Sequence, residues 1–223
     1  MKIAIDGPVG AGKSTISDAV AKALGILHLD TGAMYRAVGL TCLRRGIDTH
    51  DEAAVTALCQ TLRVDVAYVD GAQRTLADGE DLTAFIRTQE VSDAASLVGT
   101  YGGVRVAMVK AQQRLAAAHD MLVDGRDIGF RVLPDADVKI FLTASAEERA
   151  RRRWQEMLDK GQEADYAEVL AALRERDAQD MGRAVDPLRC AEDAVTVDTT
   201  DLSFDESVET ILHIIRERTA KEA

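Results

Sequence analysis

Aromatic residues make up only 4% of this 223-residue chain, so its core must be filled by Ala, Val, Leu and Ile rather than by stacked rings. Prolines number three, and no Pro-rich or low-complexity stretch marks a linker or a repeat, so one domain is expected. Cysteines are also few. Cys42, Cys59 and Cys190 are an odd number without CxxC spacing, which excludes a disulfide framework or a zinc site and predicts reduced, buried thiols. Basic charge is short: 27 Lys and Arg against 38 Asp and Glu leave a net charge of −11. Such a chain is not a general binder of nucleic acid or membrane surfaces, and an anion must meet a local cluster of basic residues. No apolar run is long enough to span a bilayer. The N-terminal apolar stretch is too short for a signal peptide, so a cytoplasmic location is expected.

What is present is an alternation of short apolar strands and helical stretches. Ile3–Ile5 reads as a strand, followed by a helix from Ser14 to Leu24 closed by Gly25. Leu27–Leu29 is the next strand, then a helix from about Ala33 to Arg45 closed by Gly46. Met121–Val123, Val138–Leu142 and Val195–Val197 complete five strands. Ser145 with Glu148, and Ser203 with Glu206, have capping-box spacing. The alternation predicts an α/β fold with a parallel sheet flanked by helices. One stretch breaks it: Val64–Val69 alternates with period two, Asp70-Gly71 offers a turn, and Arg74–Leu76 resumes, which predicts a small antiparallel β insertion.

Between the first strand and first helix, Gly7-Pro8-Val9-Gly10-Ala11-Gly12-Lys13-Ser14 fits the P-loop pattern, with Thr15 following. The glycines let backbone N–H groups turn inward around a phosphate, and the helix N-terminus adds partial positive charge. Lys13 is positioned to reach the β- and γ-phosphates of ATP, and Ser14 to ligate Mg²⁺. A P-loop alone does not separate kinase, GTPase and ATPase.

The acceptor side must decide. In a doubly wound sheet, ligands lie at the carboxyl ends of the strands. There the sequence places Asp30-Thr31-Gly32-Ala33-Met34-Tyr35-Arg36 after the second strand and Asp124-Gly125-Arg126-Asp127 after the third. Asp124 is a candidate Mg²⁺ carboxylate, and Arg126 offers bidentate phosphate recognition; a buried ion network is the competing reading of that cluster. Arg149 and Arg153 share one helix face, while Arg151 and Arg152 read as a solvated face. Arg174–Asp177 and Asp180–Arg183 form a second charged segment, with Gly161 and Gly182 as candidate hinges, which fits a lid that excludes water.

Taken together, IAIDGPVGAGKS, LDTGAMYRA, GEDLTAFIRTQEVSDAAS, VDGRDIG, PDADVKIFLTASAEERARRR and ERDAQD–GRAVDPL resemble the bacterial cytidylate kinase family, in order, over about Lys2 to Ile215. The resemblance implies a nucleoside monophosphate kinase of P-loop NTPase fold: a five-stranded parallel core, an extended monophosphate-binding region matching the β insertion, and a short lid. It implies transfer of the ATP γ-phosphate to CMP or dCMP, with Mg²⁺. Ser96, Arg105 and Asp127 resemble the base-reading residues. Cytosine's N4 amino group suits Asp127 as acceptor, whereas uracil would turn an oxygen toward that carboxylate. Thr31, Arg36 and Arg126 resemble residues around the acceptor phosphate, and Arg176, Asp180 and Arg183 the lid-side contacts to sugar and phosphate. Arg149 and Arg153 match lid-base arginines near ATP. Lys13, Arg36, Arg126, Arg176 and Arg183 are the expected catalytic cations.

The expected layout is one kinase domain over 1–223, with core segments 1–62, 104–153 and 184–223, a monophosphate-binding insertion at 63–103 and a lid at 154–183. A monomer is expected. Phe130-Arg131, Gly102-Gly103 and Gln179 depart from the family pattern and bear on the lid's phosphate contacts. The competing readings are a P-loop kinase of another acceptor, such as UMP, AMP or shikimate, and a non-catalytic nucleotide switch; the switch lacks an NKxD-type guanine-reading motif.

Overall fold

The computed structural model describes residues 1–220. The chain begins with β1 (Lys2–Asp6), whose buried Ile3, Ala4 and Ile5 make it a central strand. Helix α1 (Lys13–Leu24) follows, then β2 (Leu27–Asp30) and α2 (Thr31–Arg45). Helix α3 (Glu52–Thr61) leads into β3 (Val64–Val69), β4 (Ala72–Ala77) and β5 (Glu80–Asp81). Two helices come next, α4 (Gln89–Val98) and α5 (Gly102–Ala118), before β6 (Met121–Gly125). A single π-helical turn, Ile128–Val132, precedes β7 (Val138–Thr143) and α6 (Ala146–Asp159). Helix α7 (Tyr166–Gly182), β8 (Val195–Asp198) and α8 (Phe204–Thr219) complete the chain.

Five strands form a parallel sheet in the order β2-β6-β1-β7-β8. Ile3 pairs with Val138 and Asp6 with Phe141, while Ile140 pairs with Val195. The three-stranded sheet β3-β4-β5 is antiparallel, with Val64 opposite Ala77 and Leu76 opposite Asp81. Two compact units are distinguishable: Met1–Gly25 together with the chain from Asp124, and Ile26–Val123.

The structure adjusts several sequence expectations. Helix α2 starts at Thr31, not near Ala33, because the Asp30 carboxylate accepts from the Ala33 N–H at 3.0 Å and caps it earlier. The insertion has a third strand, β5, too short to register as a pattern. Of the two capping boxes, Ser203 and Glu206 form both bonds. Ser145 accepts from the Glu148 N–H, but the Glu148 carboxylate is drawn to Arg151 and Arg152 instead of back to the cap. Cys42 and Cys59 are buried as expected, whereas Cys190 is exposed, in the stretch between α7 and β8.

Candidate functional site

In the first unit, β1 delivers the Gly-rich turn to the N-terminus of α1. A Cβ on Gly7 would sit 1.9 Å from the Leu142 carbonyl oxygen, so β7 leaves room there for glycine alone. Gly12 is left-handed (φ 82°) and offers no side chain to cap α1, so the first-turn amides stay available for an anion. Lys13 is buried and its Nζ donates to the Pro8 carbonyl at 2.7 Å, folding the side chain over the turn. Burial, then the nearby Arg126, lowers its pKa to about 7. Thr15 points to the exposed side of α1.

The carboxyl end of β6 brings the acidic and basic candidates alongside. The Ser14 hydroxyl donates to Asp124 Oδ2 at 2.9 Å. Mg²⁺ commonly takes only one or two protein oxygens and fills its octahedron with phosphate and water, so this hydroxyl–carboxylate pair fits it. No cluster of three or more His, Cys, Asp or Glu suited to a metal occurs among the described residues.

Arg126 is gripped from α7: its Nε donates to Asp180 Oδ2 at 2.8 Å. Arg183 lies on the other side of that carboxylate, 3.7 Å from Oδ1, and 3.9 Å from Asp127 Oδ1. Burial pushes the Asp180 carboxyl up, but Arg126, then Arg183 and Arg176, overcome it and hold the pKa below the ordinary value. Arg126, Asp127, Arg176, Asp180 and Arg183 thus form one charge network, and Asp124 and Asp6 also act on Arg126.

Arg149 is more deeply committed than the sequence suggests. Its Nε donates to the Ala144 carbonyl (2.9 Å), and one terminal nitrogen donates to the Val9 carbonyl (2.8 Å). The same guanidinium forms a bidentate pair with Asp177 at 3.1 and 2.6 Å. It therefore fastens the P-loop to α7 through side-chain and main-chain contacts. Arg153 turns outward to Glu156, and Arg151 is solvated. Arg152, expected on the solvated face, instead binds Glu148 and Thr199 and is largely covered, because β8 ends beneath that face of α6.

In the second unit, Asp30 organises the turn into α2. Its carboxylate caps α2 through Oδ1 and takes Arg87 through Oδ2 at 2.9 Å. The Gln73 amide of β4 grips the Asp30 backbone from both sides, accepting from its N–H (2.8 Å) and donating to its C=O (3.2 Å). Tyr68 of β3 donates to the His28 carbonyl at 2.9 Å. Thr31 is buried and Arg36 half-buried on the α2 turn so fixed. Arg105 is buried in α5, with its guanidinium 5.8 Å over the Tyr35 ring and bonded to the Gly99 carbonyl at the end of α4, the helix that carries Ser96.

A family model described as cytidylate kinase matches residues 3–217. The chain belongs to the cytidylate kinase family. A cytidylate kinase of Caldicellulosiruptor bescii is 49% identical over 214 residues, covering 96% of this chain and 95% of that protein. Another, of Bacillus licheniformis, is 46% identical over 220 residues, 98% and 97% of the two chains. Among solved structures, a shikimate kinase from Bacteroides thetaiotaomicron superposes with a TM-score of 0.51 at 13% identity, covering 97% and 98%, a likeness of fold alone. Against this family frame, sequence reading missed Asp30, Gln73, Arg87 and Asp177. Asp30, Arg87 and Asp177 stood inside quoted motifs without an assigned task, and no local signal could have singled out Gln73.

Proposed function

We propose that this protein transfers the γ-phosphoryl group of ATP to CMP and dCMP, giving the diphosphates. The observation that carries the reading is the match of the cytidylate kinase family model to residues 3–217. The site geometry supports it. The α1 amides and Lys13 are proposed to hold the β- and γ-phosphates, with Gly7 through Thr15 lining the nucleotide and Arg149 beside it through its bond to the Val9 carbonyl; Arg153, paired outward with Glu156, would have to turn from that partner to reach it. Ser14 and Asp124 would hold Mg²⁺, which would supply positive charge against the negative charge that develops during transfer. Arg36, Arg126, Arg176 and Arg183 are proposed to hold the acceptor phosphate in line, with Thr31 and Asp180 beside the phosphate and sugar. Ser96, Arg105 and Asp127 are proposed to read cytosine.

No general base is needed, since the acceptor is already an anionic oxygen and the task is alignment with charge neutralisation. Asp180 accepts from the Arg126 Nε at 2.8 Å, which would keep that cation oriented toward the acceptor phosphate. The test is a turnover assay with ATP-Mg²⁺ and CMP, dCMP, UMP and AMP in parallel. CMP and dCMP are expected to be turned over well ahead of the others. Preference for AMP or UMP with CMP inert overturns the reading.

A further inference from the structure

The strand that ends in the P-loop also ends in a buried carboxylate. Asp6 is 3% exposed and accepts two backbone hydrogen bonds, from the Ile128 N–H to Oδ1 and from the Gly129 N–H to Oδ2, both at 2.8 Å. These are the first two amides after Asp127, at the mouth of the π-helical turn Ile128–Val132. A helical turn leaves its leading N–H groups without partners inside the turn, and burying them unpaired is costly. Asp127 supplies no side-chain cap here; Asp6 does that work across 122 and 123 residues of sequence.

Why this residue type stands here follows from the two oxygens. Each takes a different N–H, so an amide in its place would turn an NH₂ against a backbone N–H and leave a donor facing a donor. A carboxylate is needed although it is expensive: it is buried beside the carboxylate of Asp127, and burial is the main cause of a pKa raised to about 6. The turn is also tight around it. A Cβ added at Gly129 would lie 3.3 Å from Asp6 Oδ2 and 3.3 Å from the Lys139 side chain. Meanwhile the Asp6 backbone is continuous with Gly7, and so with the phosphate cradle.

We infer that Asp6 is the positioning residue for Asp127, holding the cytosine-reading carboxylate at a fixed place relative to the P-loop, and so setting discrimination between cytosine and uracil without touching substrate. This rests on the proposed reading of Asp127 as the group that accepts from cytosine's amino group. Discrimination between two bases of nearly equal shape depends on where one oxygen stands. A shift of the Ile128–Gly129 backbone therefore degrades it before it degrades phosphate binding.

The experiment measures kcat/KM for CMP and for UMP in wild type, Asp6→Asn, Gly129→Ala and Asp127→Ala, with folding checked by circular dichroism. Asp6→Asn is expected to lower the CMP:UMP ratio about tenfold, the scale of one misplaced buried hydrogen bond. Gly129→Ala, which presses on the same carboxylate, is expected to lower it by a smaller factor and carries the test if Asp6→Asn does not fold. A merely structural Asp6 would scale both substrates down together and leave the ratio intact. If Asp127→Ala erodes the ratio while Asp6→Asn and Gly129→Ala keep it, the inference about Asp6 fails alone. If Asp127→Ala keeps the ratio, the base-reading role fails and the inference falls with it.

Discussion

Lys13 and Asp6 are opposite charges buried a few residues apart on the same β1–α1 connection, and each pulls toward its neutral form. The Lys13 Nζ rests on the Pro8 carbonyl of the Gly-rich turn, and its proposed task is to hold the β- and γ-phosphates. Lys13→Ala is expected to cut kcat by about two to three orders of magnitude, the loss typical of one preorganised charge aimed at developing negative charge. A steady-state assay at saturating CMP checks it, and a fall of less than about threefold contradicts the assigned role. For Asp6, the pKa rises from 3.8 to about 6 on folding, with burial as the first cause and the two amides opposing it. A raised folded pKa means the folded state holds the proton more tightly than the unfolded chain. The associated stability is complete below about pH 4 and is lost as pH rises through about 6. The stability of wild type relative to Asp6→Asn is thus expected to fall by about 2–3 kcal/mol between pH 4 and 7, at 1.36 kcal/mol per pKa unit. Urea unfolding at both pH values reads it, and a gap that stays constant or widens contradicts it.

Among the elements, the short β insertion and helix α7 act as braces. β4 reaches the α2 N-terminus through Gln73, whose two bonds fix the Asp30 backbone while the Asp30 side chain caps α2 and holds Arg87. Gln73→Ala removes both bonds and is expected to destabilise by about 1–2 kcal/mol. Because Thr31 and Arg36 ride on the turn so fixed, it is also expected to raise KM for CMP severalfold while leaving KM for ATP near wild type. An unchanged CMP KM would reduce the insertion to a decoration. On α7, Asp177 neutralises the buried guanidinium of Arg149, whose side chain is 6% exposed. Asp177→Ala strands that charge, and loss of a buried partner typically costs about 3–5 kcal/mol. Chemical denaturation measures this, and a loss under about 1 kcal/mol would mean Arg149 finds relief in the Ala144 and Val9 carbonyls alone.

Over the whole molecule, legibility followed the range of the interactions. The five parallel strands, the P-loop and the antiparallel hairpin are written in local periodicity and glycine placement, and the structure places all of them within a residue or two of expectation. Helices α3, α4 and α5 were not individually resolved from sequence, although Gly99 caps the end of α4. Of the candidate residues, Lys13 and Ser14 were marked by the P-loop spacing, Asp124 and Arg126 by their place at the end of a strand, and Asp127, Asp180 and Arg183 by the family resemblance; contacts among Ser14, Asp124, Arg126, Asp127, Asp180 and Arg183 lie within the first unit. Asp6, Gln73 and Asp177 work through partners 28 to 123 residues away, and no sequence window contains both ends of such a bond. The same uneven burial gives the chain a practical asymmetry in its sulfur chemistry. Cys42 and Cys59 are sealed, with the Cys59 thiol pushed up by burial to about 11, while Cys190 lies open. A maleimide probe is therefore expected to modify the native protein once and the urea-unfolded chain three times, as counted by intact mass. More than one adduct on the native chain would contradict it. The wild-type enzyme thus comes with a built-in attachment point for a single fluorophore, and needs no cysteine engineering before its motions are followed by light.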